Sequence, residues 1–502
     1  MVDLFAAGLL AAIQPQMLLL IFLGVVVGII FGSIPGLTAV MAIALCLPMT
    51  YGMSPAAGMS LLVALFVGAT SGGLIAAILL KIPGTPSSIA TTFDGGPMME
   101  KGEGVKALGA GIVFSFIGTI LSIIALVFIA PTLARVALSF GPHEYFAIAI
   151  FSLTLIATLS SGSMTTGIFS GLVGFGVSTV GIAPVDATRR FTFSTVELNS
   201  GFSILAVLVG MFAIAEVIKV AEGGRAGSNI KIMAPVMKGV KGFGFSMKEF
   251  FEQIPNAFRS SVIGIVIGIL PGIGAGTSNI LAYIAARSRS KTPEKFGKGT
   301  LEGVVAPESA NNAGIGGAMI PLLTLGIPGD AVTAILLGGL MMHGIQPGPM
   351  LFVTQASLVY TIFAALTISA IVMLVVEFYG LRIFVKLLAI PRHILLPAIL
   401  VLCAVGAFGL ASRTFDIWTV LGFGILGYAF VKAGIPTAPF IIGFILGPMA
   451  ETNFRRGLQL SQGEYSGFLT NPISGAFLAL AALSIVWQIW SGLRKRPART
   501  SS

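Results

Sequence analysis

Apolar residues in this chain gather into long runs free of charge, as in Gly111–Ala130, Leu351–Val376 and Ile394–Leu410. Each is near the roughly 20 residues that one helical crossing of a bilayer needs. A membrane barrel would read instead as alternating segments of about ten residues. Hydrocarbon cannot hydrogen-bond a backbone, so runs of this kind predict spanning helices. The length rule predicts an all-α polytopic membrane protein with about eleven or twelve spans.

The polar positions that interrupt these runs are not scattered. They collect at Pro-Gly breaks, in four clusters. The first is Pro35-Gly36-Leu37-Thr38. The second is Lys81-Ile82-Pro83-Gly84-Thr85-Pro86-Ser87-Ser88, followed by Thr91, Thr92 and Asp94. The third runs from Pro271-Gly272 through Gly274 and Gly276 to Thr277-Ser278-Asn279. The fourth runs from Glu308 with Asn311 and Asn312 to Pro328-Gly329-Asp330 and Thr333.

The breaks repeat. Gly28, Gly32, Pro35 and Gly36 match Gly264, Gly268, Pro271 and Gly272 at a constant offset of 236. Gly72 with Ile82-Pro83-Gly84 matches Gly317 with Ile327-Pro328-Gly329 at 245, and Gly95-Gly96-Pro97-Met98-Met99 matches Gly338-Gly339-Leu340-Met341-Met342 at 243. Corresponding Gly/Pro interruptions in two halves point to inverted-topology repeats, with re-entrant or broken helices around a site near the bilayer midplane. The division expected is a first repeat half over 1–218, a basic linker over 219–259, a second half over 260–493 and a basic tail over 494–502.

Charge supplies orientation. Only 10% of residues are charged, against about 25% in a soluble domain. The first 80 residues hold no Lys or Arg. The stretches Lys219–Arg259 and Arg287–Lys298 and the tail after Arg494 are basic. Under the positive-inside rule the N-terminus faces away from the cytoplasm and the C-terminus lies in it. Ser260–Ala286 then has both ends on one side, which predicts a hairpin turning at Leu270-Pro271-Gly272. The net charge of +10 is what helix-flanking anchors produce and needs no nucleic-acid partner.

The chemistry of the breaks is that of helix ends. A half-helix that restarts with hydroxyl or amide residues exposes free N–H groups and about half a positive charge. That is an anion site, and nearby unwound carbonyls coordinate a small cation. Contacts to a small organic anion are therefore expected from Pro35, Gly36, Thr38, Pro83, Gly84, Thr85, Ser87, Ser88, Pro271, Gly272, Gly274, Thr277, Ser278 and Asn279. Contacts to a coupling ion are expected from Glu308, Asn311, Asn312, Pro328, Gly329, Asp330 and Thr333. Isolated Ser and Thr often bond only to their own turn. Glu308 can also be read as lying at the water interface, Lys81 as an anchor or an anion contact, and Asp94 as a loop residue. Cys46 and Cys403 read as packing residues. His143, His343 and His393 are isolated and lack metal-ligand spacing. No phosphate loop, dinucleotide fingerprint or paired-carboxylate motif is present. The predicted class is a secondary transporter, not an enzyme and without a bound cofactor. An anion channel and, behind it, an intramembrane enzyme are the alternatives.

Gly32-Ser33-Ile34-Pro35-Gly36-Leu37, Lys81-Ile82-Pro83-Gly84-Thr85-Pro86, Leu270-Pro271-Gly272 with Gly274, and Glu308-Ser309-Ala310-Asn311-Asn312-Ala313 together resemble the large membrane subunit of the tripartite tricarboxylate transporters, over about residues 15–470. The resemblance implies a bacterial inner-membrane permease driven by Na+ or H+. It would work with a small membrane subunit and a periplasmic solute-binding protein on citrate or related carboxylates. Substrate choice would rest largely with the binding protein, and self-association is left open.

Overall fold

The computed structural model describes residues 2–159, 163–222, 242–272, 274–387 and 413–494, together with 397, 400 and 401. Much of the basic stretch after Lys219, the apolar run at 394–410 with Cys403, His393 and the tail beyond Arg494 lie outside the described residues.

Regular structure in the described chain is helical, apart from one antiparallel pairing of Gly181–Ile182 with Arg189–Arg190. The principal helices are α1 (Val2–Ala12), α2 (Pro15–Ser33), α3 (Ala39–Cys46), α4 (Pro55–Leu79), α5 (Thr91–Glu100), α6 (Gly104–Ala137), α7 (Pro142–Leu159), α8 (Met164–Ser178) and α9 (Ile204–Glu222). They continue with α10 (Met247–Ile269), α11 (Gly274–Arg289), α12 (Glu302–Leu325), α13 (Ala331–Met342), α14 (Ala356–Leu387), α15 (Thr414–Lys432), α16 (Thr437–Leu460) and α17 (Pro472–Arg494). Among the described residues six helices are long and apolar enough to cross a membrane: α2, α4, α6, α9, α15 and Ala356–Leu381 of α14. Five shorter apolar helices accompany them. The chain is an all-α, multi-pass membrane protein.

Two compact units divide the chain. One takes Met1–Ala137 and Leu205–Tyr428, the other Leu138–Ile204 and Ala429–Ser502. Each draws on both halves of the sequence. α10 begins at Met247, inside the stretch read as linker, with Ser246 and Glu249 forming a reciprocal capping box. In the second unit Arg190 grips Glu451 through both guanidinium nitrogens at 2.6 and 3.0 Å, and Arg455 reaches Asp186 at 2.7 Å. The hydrogen bond from Arg455, helped by Thr188, holds the exposed Asp186 carboxyl down at about 2.

In the larger unit the sequence repeat becomes a repeat of contacts. α2 packs on α4, and α10 packs on α12. A methyl group at Gly28 would meet the carbonyl oxygen of Leu65, and one at Gly264 would meet that of Ala310. Gly32 stands in the same relation to Ala69 as Gly268 does to Gly314, and Gly72 to Ile29 as Gly317 does to Ile265. Gly84 closes against Gly32 as Gly329 closes against Gly268. Every partner is displaced by the same 236 or 245 residues as the glycines themselves. The backbones therefore approach at the same points in both halves, as small residues at membrane-helix interfaces allow. The halves also exchange partners: α6 of the first packs on α12, and α14 of the second packs on α4.

Candidate functional site

All four breaks predicted from the sequence end one helix and start another. α2 stops at Ser33, Gly36 turns the chain at φ +93°, and Thr38 caps α3 by accepting the Met41 N–H at 3.2 Å. After α4 the chain passes Lys81 at φ +54°, then Pro83 and Gly84. Thr85 and Ser88 cap a single turn over Pro86–Ser88 reciprocally. α10 stops at Ile269, Gly272 and Gly274 take φ +78° and +67°, and α11 begins with no acidic residue in its first turn. Gly326, at φ +72°, ends α12. Pro328 and Gly329 follow, and Asp330 caps α13 in a capping box with Thr333.

Three of these breaks meet. Gly272 donates its N–H to the Gly329 carbonyl at 2.7 Å, joining the two breaks of the second half. The Cβ position of Gly274 lies 3.3 Å from Asp330 Cβ. The Asn279 side-chain amide donates to the Ser87 carbonyl, and the Cβ position of Gly276 lies 3.6 Å from the Pro86 carbonyl oxygen. The tip of the first half, at Thr85, Ser87 and Ser88, is thus seated on the opening turns of α11. The first break stands apart from that set of contacts: Gly36 faces Val220 of α9 at 3.4 Å, and Thr38 is engaged in capping α3, which packs on α13.

The tips differ in charge. Asp330 accepts the Thr333 N–H and hydroxyl at 2.8 and 2.7 Å, so its carboxylate offsets the positive end of α13. α11 has no such carboxylate. Its second turn carries Asn279, fully buried, whose Oδ1 has no partner among the described residues. Thr277 sits half-buried on the first turn. Ser278 bonds back to Ala275 at 3.0 Å, the local use that isolated hydroxyls often have.

The remaining predicted ion contacts lie inside α12, which is buried along nearly its whole length. Glu308 is fully buried, not at a water interface: Thr91 Oγ1 donates to it at 2.5 Å and Ser115 Oγ at 3.1 Å. The Asn312 amide donates to Ser115 Oγ at 2.8 Å and to the Glu308 carbonyl at 3.1 Å. Asn311 donates to the Thr70 carbonyl at 3.3 Å. Each asparagine keeps a buried Oδ1 without a partner among the described residues. Glu308, Asn311 and Asn312 therefore form a strip separate from Asp330 and Thr333.

Sequence reading missed Ser71, Ser115 and Glu377. Glu377, on α14, is fully buried and accepts Ser71 Oγ at 2.6 Å. It directly follows the apolar run Leu351–Val376, and a carboxylate closing such a run was the available signal. Two other readings change. Asp94 is not in a loop. It lies buried in α5, where it accepts Tyr283 Oη at 2.8 Å and the N–H groups of Gly297, Gly299 and Thr300 at 2.7–3.0 Å, so its charge is satisfied by a turn far along the chain. Lys81 forms an ion pair with Glu100.

The model of the tripartite tricarboxylate transporter TctA family matches residues 18–442. An uncharacterized 52.8 kDa protein of the TAR-I ttuC' 3' region of Agrobacterium vitis is 34% identical over 492 residues, which is 97% of this chain and 96% of the relative. A second Agrobacterium vitis protein, uncharacterized and from the TAR-II ttuC' 3' region, is 36% identical over 233 residues, 46% of this chain and 96% of the relative. No solved structure matches. The chain carries the family's pattern across its repeated breaks and belongs to the tripartite tricarboxylate transporter TctA family.

Proposed function

We propose that this chain is the permease of a binding-protein-dependent secondary transporter that imports small organic anions by cation-coupled alternating access. The observation that carries the reading is the meeting of the Pro86–Ser88 tip with the start of α11, sealed by the Asn279–Ser87 bond. A helix start without a carboxylate of its own suits a negative guest, and a contact built from both halves can be opened by moving one half against the other. The small membrane subunit, the periplasmic binding protein, the inner-membrane location and a non-cytoplasmic N-terminus belong to this proposal.

Asp330 is assigned to the coupling ion, beside its capping role. Replacing it with Ala is expected to remove gradient-driven citrate uptake in cells carrying the complete transporter. Loss of an N-cap alone costs about 1 kcal/mol, and Asp330→Asn, which keeps a capping side chain, separates the two roles. Both variants should fold while neither accumulates substrate. Uptake at normal rate and ion dependence in Asp330→Ala contradicts the assignment. Counterflow in proteoliposomes contradicts the transporter reading itself if no substrate-driven exchange occurs, since a channel gives none.

A further inference from the structure

Two fully buried carboxylates, Glu308 on α12 and Glu377 on α14, flank one turn of α4: Ser71 donates to Glu377, and its neighbour Thr70 accepts from Asn311, three residues beyond Glu308. Their surroundings differ. Glu308 has a hydroxyl donor on each oxygen, Thr91 on Oε1 and Ser115 on Oε2. That suits an ionised carboxylate, whose oxygens only accept. Glu377 has one donor, Ser71, on Oε2, and its Oε1 is buried without a partner among the described residues. A bare carboxylate oxygen sealed from water is costly, and a neutral carboxylic acid is far less so.

Among the described residues no cation is paired with either carboxylate. The described helices packed against α14 are α1, α2, α4 and α6, with the single turn Leu351–Thr354, which carries no charge. They bring Asp3 and Arg135, both exposed, and Lys106, which is paired with Glu249. Against α12, the helices α5, α10, α11 and α13 bring Asp94, bonded to the 297–300 turn, Glu100, paired with Lys81, and Asp330 and His343 at the ends of α13, the one bonded to Thr333 and the other to Thr50. They also bring Lys248 paired with Glu252, Arg259 bonded to Asn256, Tyr283 bonded to Asp94, and Arg287 and Arg289, both exposed. Lys386 and Tyr379 of α14 are exposed, and Glu302 stands in the first turn of α12, six residues before Glu308.

We propose that Glu377 and Glu308 together hold one exchangeable proton, carried on Glu377, and that this is a proton-binding site of the transport cycle. The proton adds to a Glu377 oxygen from water when the site is open and leaves to water on the other side, with no other bond changed. The proposal rests on the permease reading and adds a proton site in the buried strip, separate from the ion contact assigned to Asp330.

The test is infrared difference spectroscopy of the full-length chain in liposomes, following the C=O stretch of protonated carboxyl groups through a pH titration. Expected is a titrating band that disappears in Glu377→Gln. Should that variant fail to fold, Ser71→Ala keeps the carboxyl, removes its donor and should shift the band's frequency. In parallel, uptake driven by an imposed pH gradient should fall about tenfold or more in Glu377→Gln, the scale of an ordinary coupling free energy, while counterflow persists. A band that survives Glu377→Gln, a frequency unmoved by Ser71→Ala, or an undiminished pH-driven uptake overturns the proton site. None of these touches the permease reading, which falls only if the unmodified transporter shows no counterflow.

Discussion

Gly32→Leu and Gly268→Leu are each expected to remove nearly all folded protein from the membrane fraction, while Gly52→Ala leaves the yield unchanged. The obstacle at the first two positions is backbone. A Cβ at Gly32 would overlap the Ala69 carbonyl oxygen, and one at Gly268 would lie 2.8 Å from that of Gly314. Overpacking a core costs about 1–3 kcal/mol when side chains can give way, and here the neighbouring helix itself would have to move. Each glycine also receives a Pro-Gly break, Gly84 on Gly32 and Gly329 on Gly268, so displacing α2 or α10 dislodges a tip as well. The space around Gly52 is open. Size-exclusion profiles of the solubilised variants read the outcome directly. The two large substitutions should behave alike, because their partners are equivalent across the repeat.

The second large effect is at Glu308. Glu308→Ala would leave the Thr91 and Ser115 hydroxyls without their acceptor in a sealed interior. Each buried polar group so orphaned costs about 1–3 kcal/mol, a substantial share of a typical folding free energy of about 5–15 kcal/mol. The Asn312 amide shares Ser115, so the disturbance reaches the contact between α6 and α12 that joins the halves. Uptake is expected to fall by about a hundredfold or more, within the range of a strong coupling free energy, with a lowered thermal midpoint. Glu308→Gln, which retains one acceptor, should recover most of the stability but not the uptake. Equal recovery of both would mean that the carboxylate serves folding alone.

What the sequence made legible is what the backbone demands locally. A Pro-Gly break inside an apolar run has to end a helix, and glycines at matching spacings have to mark matching close approaches. The contacts of Gly28, Gly32, Gly72 and Gly84 and their counterparts bear this out to the residue. Pairings between distant segments left no such mark. Ser71 and Glu377 meet across 306 positions, and Asn279 and Ser87 across 192, with no periodicity to announce either. Asp94 misled for a related reason. Its neighbours Gly95, Gly96 and Pro97 look like a turn, yet glycine is needed at 96 because Lys81 packs there, its Cγ 2.5 Å from where a Cβ would stand. Glu308 resembled an interfacial residue because a basic loop precedes it. Packing of α5 and α6, together with α10 and α11, against α12 seals it from water.

The claim on which the account rests is that the Pro86–Ser88 tip and the first turns of α11 together receive the anion. Thiol protection tests it most directly. In a chain with Cys46 and Cys403 replaced by Ser, single cysteines at Ser87 and at Thr277 would be labelled with a hydrophilic maleimide, with and without the transported carboxylate. Both should be shielded by substrate, to the same degree and over the same concentration range, while a cysteine at Gly52 labels at a constant rate. Labelling at Ser87 and Thr277 that is indifferent to a substrate the same protein demonstrably transports would place the anion elsewhere and contradict the account.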